Sequence, residues 1–389
     1  MTARLGVAAA ALVLALGAFP HKSFATSIHT AEEGGTYHSR FCPVLAEQLA
    51  HSEFAYSCEA SAGTAENIRK VLTSPADIGY GQLDIFARLL QDADDAESLV
   101  TIRSDDVRQC LFAVTKRRDL QSFGDLSARA PELHFYLPPR ESNSNGTFAL
   151  LQQIDPDGLG KAGNITYAPS AEDAIHTALS EENAVAFFVE FPDPENRRFK
   201  LVRVEGGHFV PIVDREVLRQ QIGGHKVYFV QETQVANADW LTSARKVVTA
   251  CTPTIVFTGS PEKIANPKAR QDHEDLIATV RAMRTETLLP QESTLARVLA
   301  RTKELSAASA EKLMQASERA REKAKPYIES AKEATEKAIE AAKPALEKAK
   351  DYGWKFYERA REELKGIMDS KPEEGPSPSP EHQQESQQQ

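Results

Sequence analysis

Three short turns built from glycine, serine and threonine are the residues best placed to bind something: Gly34-Gly35-Thr36, Ser61-Ala62-Gly63-Thr64 and Ser144-Asn145-Gly146-Thr147. Each opens an amphipathic helical pattern. The head of a helix leaves backbone N–H groups unpaired and carries partial positive charge, so it receives a carboxylate or phosphate without help from a side chain. One such turn alone is only the entry into a helix; three that converge make a site. Tyr37 can stack on or hydrogen-bond a small ligand, or belong to the core. Gln82 follows a strand, and its amide offers both a donor and an acceptor. Arg140 precedes the third turn and can hold an anion bidentately or pair with Glu141. Glu190 ends an apolar strand, where it can meet an ammonium group or stand as a solvated rim charge.

Other chemistries lack their residues. There is no Gly-x-Ser-x-Gly, Ser-x-x-Lys or His-Glu-x-x-His, so nucleophilic and metal-assisted hydrolysis find no support and an enzyme is not expected. His38, His51, His134, His176, His208 and His225 are scattered, and no Cys/His cluster has ligand spacing, so neither a metal nor a cofactor is expected. A net charge of −10 argues against a nucleic-acid partner.

These turns must be held by elements that alternate strand and helix, the mark of an α/β fold with a largely parallel sheet. Strands are predicted at 27–31, 54–60, 76–80, 111–114, 133–137, 184–191, 201–204, 209–212, 227–232 and 252–258, and helices at 39–51, 65–72, 170–179 and 271–284. Arg4, an apolar run from Leu5 to Phe19 and Ser23-Phe24-Ala25 read as an export signal of 25 residues, cleaved before Thr26. The run is shorter than a spanning helix needs. Four cysteines, Cys42, Cys58, Cys110 and Cys251, suit an oxidising compartment; they allow three pairings, among which sequence does not choose, or four buried free thiols.

The three turns also carry a family likeness. Gly34, Gly35, Thr36 and Tyr37, then Gly63, Thr64, Glu66 and Asn67, then Ala76, Asp77, Ile78 and Gly79 with Gln82 and Asp84, resemble in order and spacing the first lobe of the TAXI-type solute receptors of TRAP transporters. Ser144, Gly146 and Thr147 are similar to the turn that opens the second lobe in binding proteins of this class, with Asn145 interposed. At Glu190-Phe191-Pro192 the glycine of the family pattern is missing. The resemblance implies a type II periplasmic binding-protein fold, two lobes joined by two crossovers near Val114 and Cys251. It implies lobe 1 at 26–113 and 251–290, and lobe 2 at 114–250. Fold position then favours Cys42 with Cys58 and Cys110 with Cys251. The expected function is capture in the periplasm of a small anionic, carboxylate-bearing solute for a membrane transporter. Gly35, Thr36, Tyr37, Gly63, Thr64, Gln82, Ser144, Gly146 and Thr147 would line the cleft, with Arg140, Asn145 and Glu190 beside them.

The resemblance ends before the last hundred residues. The stretch 291–370 reads as long exposed helix, with Ala324, Ala331, Ala338, Ala345 and Tyr352 at heptad spacing and Pro326 and Pro344 interrupting it. Such an alanine-rich coiled-coil stripe drives only loose self-association or envelope contact. The segment 371–389 has a disordered composition. These helices open a rival reading, a non-transport scaffold that uses a binding-protein fold and works through its C-terminal extension.

Overall fold

The computed structural model describes residues 26–91, 96–222, 224–238, 243–290, 303–304 and 308–323. The export signal, the alanine stripe and the tail lie outside the described residues.

Strand β1 (Thr26–His29) is followed by a π-helical turn at Tyr37–Phe41 that runs into α1 (Cys42–His51). Then come β2 (Tyr56–Glu59), α2 (Thr64–Thr73), β3 (Ile78–Gln82) and α3 (Leu83–Leu90). β1 pairs in parallel with both β2 and β3. The second lobe repeats the scheme with α4 (Phe123–Arg129), β5 (His134–Leu137), α5 (Asn143–Ile154), β6 (Asn164–Tyr167), α6 (Ala171–Ser180) and β7 (Ala184–Glu190), which follow the long strand β4 (Leu99–Thr115). There β5 is parallel to both β6 and β7. Smaller elements complete it: α7 (Arg197–Val204), β8 (His208–Val210), α8 (Arg215–Arg219), the pair β9 (Gln221–Ile222) and β10 (His225–Lys226), and β11 (Phe229–Ala236).

Two long strands join the halves. β4 (Leu99–Thr115) has 17 residues and β12 (Arg245–Gly259) has 15, lengths of roughly 50 Å at about 3.3 Å per residue, enough to cross from one lobe to the other. They pair antiparallel from Leu99↔Gly259 to Cys110↔Cys251. In lobe 1, β12 lies against β3; in lobe 2, β4 lies against β7. Each lobe is thus three parallel strands bordered by an antiparallel crossing strand, in one continuous sheet. The two-lobed α/β fold with two crossovers is present. Apolar clusters cover both faces of both lobes; Ile28, Leu45 and Val256 anchor one, Phe148, Phe187 and Leu151 another. Disulfides join Cys42 to Cys58 and Cys110 to Cys251.

Three predictions need correction. The strand at 201–204 is the second half of α7, because Asn196 caps that helix by accepting from Arg198 N, and Phe199 and Val202, three residues apart, turn one face inward. The short strand at 111–114 is the end of β4, whose polar first half hid it. The extension is not wholly exposed helix. After α9 (Pro267–Ala282) and α10 (Thr285–Leu288), which return to lobe 1 where Arg103 donates to the carbonyls of Val280 and Met283, the two-residue β13 (Lys303–Glu304) pairs with β11. A helix at 308–323, α11, then docks on lobe 2. Ser317 is buried there and accepts from Gly124 N at 2.9 Å, Arg215 grips Glu311 and Glu318, and Arg321 meets Asp214 at 3.2 Å.

Candidate functional site: the cleft between the lobes

Each small-residue turn is shaped by local chemistry. In the first, Gly35 N closes on the carbonyl of Glu32 at 2.8 Å, and a Cβ on Gly35 would stand 3.0 Å from that same oxygen, so a larger residue would have to push the turn open by a few tenths of an ångström. In the second, Gly63 has φ +139°, a region L side chains rarely adopt, and Glu66 accepts from Ala62 N at 2.7 Å in the manner of a capping box. In the third, Ser142 caps α5 by accepting from Asn145 N, while Ser144 Oγ accepts from Val189 N at 3.0 Å and ties the helix head to β7.

The three heads meet. They enclose a cavity of about 140 Å³ whose wall includes Glu32, Gly35, Thr36, Tyr37, Ala62, Gln82, Gln109, Ser142, Asn143, Ser144, Glu190 and Arg198. The wall draws on both lobes. Of the residues singled out by sequence, Gly35, Thr36, Tyr37, Gln82, Ser144 and Glu190 line this space. Gly63 and Thr64 stand behind it, because Asn143 Oδ1 has come across from the other lobe to accept from Thr64 N at 2.8 Å. Arg140 is not on the wall; its guanidinium lies over the Tyr167 ring at 4.1 Å. Asn145, Gly146 and Thr147 also miss the wall, since α5 begins at Asn143 and carries them one turn inward. Asn145 Nδ2 donates to Arg140 O at 2.6 Å, and Thr147 Oγ1 donates to Asp84 at 2.9 Å.

Tyr37 is largely a core residue. It is 2% exposed, its ring packs against Phe41, Tyr80 and Phe191, and burial pushes its hydroxyl far above the ordinary tyrosine range. Gln82 belongs to a buried interlobe network. Its Nε2 donates to Asp84 Oδ1 at 3.3 Å and to Thr147 Oγ1 at 3.2 Å, which orients the amide and leaves Oε1 without a partner. Asp84 also accepts from Tyr228, and burial pushes its carboxyl above the usual range.

The electrostatics centre on a pair that sequence reasoning missed in part. Glu190, 3% exposed, accepts from Thr36 Oγ1 at 3.0 Å, from Phe191 N at 2.8 Å and from Arg198 Nη1 at 2.6 Å. Its burial pushes the carboxyl up while Arg198 pulls it down; the net direction is up. Arg198 is held in turn by Glu190, by Glu172 at 3.3 Å and by Glu32 from lobe 1. Burial opposes its charge, and these carboxylates more than offset that, so its pKa lies above the ordinary arginine value. Glu32, Asn143, Gln109 and Arg198 were all absent from the sequence-derived set. The Asn196 cap with Phe199 and Val202 was the one signal that could have placed Arg198 on a helix head.

Hydrogen-bond donors from helix heads, one guanidinium and several buried acceptors can bind and orient a small polar molecule. No family model matches this sequence, and no curated protein matches it. Among solved structures, the chain is similar to PhnD1 from Prochlorococcus marinus in complex with methylphosphonate, at 10% identity and TM-score 0.43, covering 75% of this chain and 96% of that one. It is similar to MatC from Rhodopseudomonas palustris with bound malate, at 10% identity and TM-score 0.41, covering 78% and 98%. A TctC solute-binding protein from Polaromonas matches at 12% identity and TM-score 0.38, covering 79% and 98%. At these scores the likeness assigns the chain to no family.

Proposed function

We propose that this protein is an exported solute receptor that takes a small carboxylate-bearing molecule between its lobes and delivers it to a membrane transporter. One observation carries the reading: helix heads from both lobes, at Thr36 and at Asn143 and Ser144, open onto a single interlobe cavity with Arg198 on its wall. First-turn N–H groups and a guanidinium are both carboxylate receptors. The volume of about 140 Å³ is close to that of an engineered protein cavity of about 150 Å³ that admits benzene, so the solute is on the order of six to ten non-hydrogen atoms. The order of the small-residue turns, similar to that of TAXI-type receptors, supports a transporter partner and a periplasmic place of work. Two disulfides accord with export.

The test is thermal denaturation with pyruvate, lactate, succinate and malate. A solute at 100 times its dissociation constant adds about 2.7 kcal/mol to stability, which raises the melting temperature by several degrees. Thr36→Trp, which fills the cavity from its wall, removes the shift. If none of the four solutes moves the wild-type transition, the reading fails.

A second reading, a scaffold acting through its extension, draws on one observation: α11 is bound to lobe 2 by Ser317 and by charged pairs rather than left free. Truncation after Leu289 separates the two, since it leaves solute binding intact only if the cleft is the working part.

A further inference from the structure

Arg198 decides the charge balance of the cleft. It is the one Lys or Arg among the described residues lining the cavity, and it is 7% exposed. Two of its carboxylate partners, Glu190 and Glu172, come from its own lobe. The third reaches across from lobe 1: Glu32, on the loop that runs into Gly34 and Gly35, binds Arg198 Nη2. These partners differ in what it costs them to leave. Glu190 is buried, and withdrawing it would strand a charge away from water. The Glu32 side chain is already 47% exposed, so it exchanges Arg198 for water at little cost.

A guanidinium offers five N–H donors in a fork shaped for a carboxylate. The part of that fork turned toward lobe 1 carries a carboxylate from the protein itself. We infer that Glu32 is a built-in competitor for the solute, whose own carboxylate displaces it from Arg198; this rests on the receptor reading above. The exchange is electrically neutral at Arg198, since one carboxylate leaves as another arrives. Without it, an incoming anion would meet Glu32, Glu141 and Glu190 on the cavity wall with a single cation to offset them. Displacement sends Glu32 into water, where its charge is screened from the solute. Glu32 therefore sets the affinity threshold of the cleft, and Arg198 is the group it guards.

Isothermal titration of the full-length protein with succinate and with malate, compared with Glu32→Gln and Glu141→Gln, tests this. Glutamine keeps the size and hydrogen bonding of Glu32 but not its charge, and the site is exposed enough to fold normally, which circular dichroism checks. Glu32→Gln is expected to tighten the dissociation constant by about two- to fivefold, as removal of an ion pair with one half-exposed partner implies, and by more than Glu141→Gln. Equal affinity in the wild type and Glu32→Gln overturns the inference and leaves the receptor reading standing. Equal tightening by both variants overturns it too, because general repulsion rather than competition would be at work. If neither solute releases heat with any of the three proteins, the receptor reading falls and this inference with it.

Discussion

Gly63 faces Asn143 across the cleft, and a Cβ there would stand 2.6 Å from Asn143 Oδ1 on a backbone at φ +139°. Gly63→Ala must both strain that backbone and push away the oxygen that accepts from Thr64 N. Stability is expected to fall by about 1–3 kcal/mol, and the lobes to part, seen as a larger radius of gyration in solution scattering. A variant as stable and compact as the wild type would mean that this interlobe bond does not hold the cleft. At this scale the sequence was readable wherever one residue type answers one local demand. Gly63 announces itself because its backbone conformation and its closeness to Asn143 exclude a side chain, and Gly35 because its turn is crowded. Arg198 and Glu32 do not, because their role exists only after residues 166 apart in sequence meet. Thr147 shows the converse: its turn was recognised, but α5 starts at Asn143, five residues earlier than a helix following Thr147 would, and that was enough to swing it from the cavity to Asp84.

Most elements were legible because each lobe buries its sheet on both faces and its helices on one, so the apolar periods are clean. The run at 201–204 was too short for its alternation to outweigh the helical spacing of Phe199 and Val202. The first half of β4 was illegible for a physical reason. In the stretch 103–109, RSDDVRQ, Arg103 turns to α9 of lobe 1 and Gln109 to the cavity, and Val107 is the single apolar residue, so the sequence does not alternate as a strand does. The docking of α11 was equally hidden, since it rests on Ser317 and on ion pairs rather than on an apolar stripe. That makes Gly124 informative. A Cβ there would fall 2.0 Å from Ser317 O, while the backbone of Gly124, the second residue of α4, is helical and accepts alanine. Gly124→Ala is expected to release α11, with loss of amide-exchange protection across 308–323 and little change in the lobes. Undiminished protection would show that Arg215 and Arg321 suffice to hold it.

For the molecule as a whole, the lobes share two strands and little else of the main chain among the described residues. The Cys110–Cys251 bond ties those strands together across a sequence separation of 141 residues. Replacing both cysteines with serine is expected to cost about 2–5 kcal/mol, since a long closed loop in the unfolded chain is set free; urea denaturation measures it. The corresponding change at Cys42 and Cys58, 16 residues apart, should cost less. The bond lies where β4 is also paired with β7, on the lobe 2 side of Pro253, and the register shifts of β12 at Pro253/Thr254 and Val256/Phe257 lie beyond it toward lobe 1. The two ribbons are thus riveted at one end and irregular at the other. They cannot slide past one another, so the jaws have one place to pivot: a rotation of lobe 1 is expected to bend the irregular stretch and to leave the riveted end fixed to its partner as a rigid arm.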